Sequence, residues 1–177
     1  MTIIPYLPEN IQTPSKLVTA IRSRRGGKLL NLDRMLLHSP PFATGWNNFI
    51  GQVRNNLSLA DKLSELAICT VAILNGADYE LTQHAPEFLK AGGTRDQLTA
   101  LSKVDLPTFP KNLFNSAEQA VIQLTIEMTR TVKVKATTME AVKQSLNNEQ
   151  HLVELVGVIA TYNMVSRYLV ALEIEGD

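Results

Sequence analysis

Two acids and a histidine set the chemical question. In the stretch NGADYELTQH (75–84), Glu80 and His84 stand four residues apart, so on a helix they share a face and touch. Glu65 comes one turn before the most apolar part of SELAICTVAIL, where an ionised carboxylate is costly unless something answers it. If the two segments fold back as an antiparallel hairpin about Asn75-Gly76, Glu65 reaches the imidazole from the side away from Glu80. A histidine between two carboxylates can pass protons. Plainer readings stand beside this one: a solvated Glu80/His84 surface pair worth ~0.3–0.5 kcal/mol, and a Glu65 that merely bonds a neighbouring helix. Asp78 fits a first-turn acid favoured by the helix dipole, and Tyr79 an amphipathic side chain at a groove; both have supporting roles.

Cys69 follows Glu65 by one helical turn and permits a one-cysteine peroxidase, although inside AICTVAIL it also reads as a small buried hydrophobe. His38 and His151 sit at helix ends, where imidazoles are commonly solvated or interact with a dipole. With no third ligand at recognisable spacing, no tightly bound metal and no cofactor are expected. Glu65, Glu80 and His84 form the one trio that could be imagined around a cation.

The elements that must hold these residues are helices, since no strand alternation is sustained anywhere. Thr13-Pro14 opens one that stops at Gly26-Gly27, and a short one spans LLNLDRMLLH. Ser39 before two prolines starts the next, with Trp46, Phe49, Ile50 and Val53 as its buried stripe and an end near Asn55-Asn56. Ser58 with Asp61 resembles a capping box for a central helix, and the helix after it closes at Gly92-Gly93. Thr94 with Gln97 caps a short helix, and VDLPTFPKN is a loop. Ser116 with Gln119 and Thr137 with Glu140 open two more, before a long final helix from Asn147 to Leu172. A shift of 89 residues aligns Ser58 with Asn147, Glu65 with Glu154 and Leu66 with Leu155, a weak internal duplication. Glu154 has no histidine downstream and reads as structural.

A chain of 177 residues suits a single domain over 1–177. Its N-terminal arm, about 1–12, is kept extended by Pro5 and Pro8. Lys plus Arg and Asp plus Glu both total 17, so no long-range field draws in nucleic acid or an anionic membrane. One cysteine excludes an intramolecular disulfide, and no apolar run is long enough to span a bilayer; a soluble, untargeted, cytoplasmic protein is expected. VIQLTIEMT and LVELVGVIATYNMV are apolar over so much of their circumference that a second subunit is expected to cover part of them.

The run from Leu59 to Leu98 resembles the carboxymuconolactone decarboxylase family. Its alkylhydroperoxidase D-like branch has a Glu, then eleven residues, Cys, two residues, Cys, three residues and His. Here the same spacing reads Glu65, Ala77, Glu80 and His84, so the acid and histidine match and both cysteines are replaced, as in members without the CxxC. The specific match covers 58–98 and extends more loosely to LLHSP and YNMVSRYL. The resemblance implies an all-α, alkylhydroperoxidase D-like helical bundle, homo-oligomers (dimer, trimer or hexamer), and a Glu/His proton relay acting on a small-molecule organic acid or lactone. His84 would then be the general acid, oriented by Glu65 with Glu80 beside it. The alternatives are a peroxidase-like antioxidant using Cys69, and a non-enzymatic oligomer that binds a ligand or partner.

Overall fold

Proline and glycine cut the chain into helices much as the sequence suggests. A computed structural model describes residues 2–177 and contains no strand among them. Two compact units form, Met1–Leu57 with Leu169–Asp177, and Ser58–Tyr168.

In the first unit, α1 (Ser15–Arg24), α2 (Asn31–Leu36) and α3 (Pro40–Asn55) pack with α3 against both of the others. Gly26 and Gly27, at φ of 67° and 95°, take the left-handed turn that ends α1. Asp33 is fully buried because it is fully answered: it accepts the Leu30 N–H at 3.0 Å and pairs with Arg24 and Arg25 at 3.5 and 3.2 Å. The arm before α1 is non-helical and lies on its own unit. Arg34 Nε donates to the Leu7 carbonyl at 2.6 Å, and exposed His38 bonds the Pro5 carbonyl through Nε2 at 2.8 Å. α3 buries Ala43, Trp46 and Ile50, but Phe49 is 50% exposed. It sits at the margin of the stripe it was expected to join.

The second unit is built on α4 (Asp61–Asn75), which packs against α5 (Asp78–Lys90), α6 (Arg95–Leu101) and α7 (Ser116–Arg130). α8 (Ala136–Leu146) packs on α7, and α9 spans Glu149–Ala171. Eight of the nine residues from Leu66 to Leu74 in α4 are buried, which is why this helix is apolar nearly all round. Leu66 and Leu155, partners in the 89-residue register, are both sealed from solvent. Lys62 of α4 and Gln97 of α6 both meet Glu118 of α7, at 2.7 and 3.1 Å, tying three helices at one carboxylate.

Helix starts are where the sequence misleads. Thr94 and Gln97 make the expected reciprocal cap of α6, each bond 3.1 Å long. Ser58 and Asp61 do not cap α4: its N-cap is Ala60, with no side-chain cap bond, and Glu154 instead accepts from the segment just before the helix, taking the Ser58 and Leu59 N–H groups at 2.9 and 2.7 Å. α7 is capped one residue earlier than expected, by Asn115 with Glu118. Thr137 and Glu140 likewise yield to Glu127, which accepts from Lys135 N and Thr138 Oγ1, both at 2.8 Å. At α4 and α8 a carboxylate carried on another helix takes backbone N–H groups at or just before the helix start.

Glu154 has its carboxyl held below the usual range. Burial opposes its charge, but bonds from Gln150, Leu59 and Ser58 outweigh that cost. Glu154→Ala should therefore destabilise the protein by about 0.5–1.5 kcal/mol, the net range for a lost hydrogen bond. Thermal melts check it. A lowered folded pKa means this contribution is present above the unfolded pKa and fades as pH falls through the folded one, so the mutant and wild-type melting temperatures should converge in acid.

Gly93 marks a second tight point. A Cβ there would stand 2.3 Å from the ring of Phe88, which has no exposure and no room to yield. Gly93→Ala is expected to cost about 1–3 kcal/mol by overpacking, read from the urea midpoint.

Candidate active site

The turn between α4 and α5 makes the site. Gly76 is left-handed at φ 64°, its N–H reaches the Ile73 carbonyl at 3.2 Å, and the Ala77 N–H reaches Ala72 at 2.8 Å. So short a link folds α5 back antiparallel on α4. Glu65 of α4 therefore meets His84 of α5, with Glu65 Oε2 2.7 Å from Nδ1. Glu80, one turn before His84, places its Oε2 3.2 Å from Nε2. Each ring nitrogen thus faces its own carboxylate.

The surface-pair alternative fails on burial. Glu65, Glu80 and His84 are 6%, 4% and 7% exposed, so the three are nearly dry without being sealed. The two contacts differ in kind. Glu65 accepts a short hydrogen bond, whereas Glu80 Oε2 lies off the Nε2–H direction and makes an ion pair without a hydrogen bond. Glu80 also occupies the first turn of α5, where the helix dipole favours its charge.

Burial is the largest influence on the His84 pKa and acts to lower it. The close contacts and charges of Glu65 and Glu80 together overcome it, and the ring's pKa is held above its ordinary value of 6.5. A charged imidazole stabilised in this way carries a proton at both nitrogens.

Tyr162 of α9 completes the enclosure, its ring edge-to-face with His84 at 4.9 Å between centroids and itself buried. Its residue type was legible, an aromatic in an aliphatic helix, but nothing in the chain pairs it with a histidine 78 positions away. Tyr79 is buried in the first turn of α5 and Asp78 beside it is exposed. Cys69 is wholly buried, and its thiol is pushed up to about 12 by burial first and then by the charges of Glu65 and Glu80.

The carboxylates hold opposite edges of the ring, so the trio does not converge on one cation. No group of three His, Cys, Asp or Glu among the described residues is arranged to hold a metal ion. No helix among them is long and apolar enough to cross a membrane.

Solved structures resemble this architecture along nearly its whole length. A peroxidase-related protein from Silicibacter sp. TM1040 is 13% identical with a TM-score of 0.78, covering 99% of this chain and 92% of its own. A cysteine-to-alanine variant of the debrominase Bmp8, solved with 2,3,4-tribromopyrrole, is 12% identical with a TM-score of 0.75, covering 100% of this chain and 92% of its own. At such identities the likeness shows the fold, an alkylhydroperoxidase D-like helical bundle. No curated protein matches the sequence. The family match runs over residues 40–125, from α3 to α7, and includes Glu65, Glu80 and His84; over this part the chain matches the carboxymuconolactone decarboxylase family.

Proposed function

We propose that the protein is a small-molecule enzyme that moves a proton to or from carbon next to a carbonyl, on a lactone, organic acid or related compound. The observation that carries this reading is His84, buried and bridged by two carboxylates at 2.7 and 3.2 Å. His84 is the general acid and base: Nε2–H delivers a proton to an enolate-like carbon, and the neutral ring takes one back in the reverse direction. Glu65 fixes the ring by keeping Nδ1–H as the donor, which leaves Nε2 to exchange. Glu80 is the neighbouring station that can hold the second proton. Positioned proton transfer of this kind contributes about 10²–10⁴-fold in rate.

The test is exchange with solvent. Small lactones and ketones incubated with the enzyme in heavy water should gain deuterium next to the carbonyl, followed by NMR, and His84→Ala should abolish the gain. If no compound exchanges above the buffer rate, and His84→Ala leaves every biological readout intact, the non-enzymatic binding reading takes over.

Self-association belongs to the same proposal. Val153, 71% exposed, and Met164 are apolar positions on α9 left uncovered by a single chain, whereas most of VIQLTIEMT in α7 is already buried within it.

The peroxidase reading has little in its favour. Peroxide is attacked by a thiolate, and a thiol at about 12 holds its proton at physiological pH. Cys69→Ser should leave any peroxide consumption unchanged. In a dye-coupled peroxide assay, loss of turnover in this variant would reinstate Cys69.

A further inference from the structure

The substrate's charge is written into the site. From α4 come Glu65 and Cys69, from α5 come Glu80 and His84, and from α9 comes Tyr162. With both acids ionised and the imidazole charged, these groups sum to one net negative charge in a nearly dry space. The field reaches beyond the histidine, because Cys69, one turn along α4 from Glu65, feels both carboxylates. Glu80 Oε2 is the atom where the imbalance is sharpest: it is buried, accepts no hydrogen bond, and is held by an ion pair alone. A buried carboxylate oxygen without a donor is unfavourable, so a group that supplies one gains by doing so.

Resting on the proton-transfer reading of this same site, we propose that the compound processed here presents a neutral hydrogen-bond donor, an O–H, N–H or carbonyl-activated C–H, to Glu80, and that ionised carboxylates are excluded. A substrate carboxylate brought to Glu80 would set one negative oxygen against another, and two carboxylates in contact cannot both stay ionised. An organic acid enters only together with a proton shared between it and Glu80. Its apparent affinity then falls about tenfold for each pH unit above its own pKa. A neutral donor carries no such penalty. The three side chains keep a small residual exposure, and Glu80 Oε2, tied by one ion pair, is the acceptor left for an arriving donor.

Phenol and benzoate make a direct pair of probes, alike in ring and different in charge. Binding is followed by the ¹H–¹⁵N signals of the His84 ring in the full-length protein, with proton uptake measured by calorimetry in buffers of different ionisation enthalpy. At about pH 7.5 phenol should shift the His84 signals saturably, and benzoate should bind at least ~10-fold more weakly. As pH falls, benzoate should gain about tenfold per unit and take up one proton for each molecule bound. Glu80→Gln, which keeps the shape and removes the charge, should erase that slope and let benzoate bind at the higher pH. Asp96→Asn removes an exposed acid at the start of α6 and should leave the preference as it is.

Benzoate binding as tightly as phenol to the wild type at about pH 7.5 overturns the inference, as does discrimination that survives Glu80→Gln, or phenol that leaves the His84 signals unmoved. The heavy-water exchange assay keeps the two claims apart. Preference for the anion alongside His84-dependent exchange sinks only the charge rule; absence of exchange with the charge preference intact sinks only the enzyme reading.

Discussion

Replacing His84 with alanine should lower proton exchange by about 10²–10⁴-fold and, in the same protein, reduce stability by about 3–5 kcal/mol near neutral pH. The two losses have one origin. Taking away the imidazole removes the proton carrier and also leaves Glu65 and Glu80 as buried carboxylates without their shared cation. Breaking a buried ion pair from one side costs more than the pair is worth, because the stranded charges stay out of water. Protonating those acids relieves the penalty, so the gap to wild type should narrow as pH is lowered. Urea unfolding of both proteins at about pH 7.5 and about pH 5 reads this out. A surface histidine would show neither the large loss nor its recovery in acid.

Glu65→Gln separates the orienting acid from the proton carrier. The amide keeps the bond at Nδ1 but no longer supports the positive ring, so the charged state is left facing Glu80 alone. Loss of one charge-assisted hydrogen bond is expected to cost about 1.5–3 kcal/mol. The pH dependence carries the sign. The wild-type His84 pKa is raised in the folded state, so its stabilisation is complete below the unfolded value of 6.5 and disappears as pH rises through the higher folded value. The wild-type urea midpoint should therefore decline across that window, and in Glu65→Gln the decline should start at the same unfolded value, end at lower pH and be smaller. Burial, the largest influence on this ring, then works with one opponent fewer.

The helices were legible because their signals are local. Paired glycines after α1 and after α5, the Thr94/Gln97 box and the dense apolar run of α4 each act within a few residues. Hairpin closure at Gly76 was legible for the same reason, and with it the approach of Glu65 to His84. What escaped were contacts made across the fold. Glu154 binds the backbone just ahead of α4 from 96 residues away, Glu127 takes the place expected of Thr137, and Tyr162 packs on a ring in another helix. Phe49 shows a related limit, since periodicity gives the apolar face of a helix and not how far the neighbouring helices extend over it. Pro86 sits inside α5 just past His84, where a proline would usually end a helix; tertiary packing carries the helix on to Lys90.

One imidazole held charged between two acids is the point on which the site depends, and an NMR titration of the His84 ring nitrogens tests it most directly. The structure predicts titration above 6.5, with protons on both nitrogens in the charged form, and a downward shift in Glu65→Gln. A ring that titrates at or below 6.5, or that is indifferent to loss of the Glu65 charge, would contradict the arrangement and the chemistry built on it.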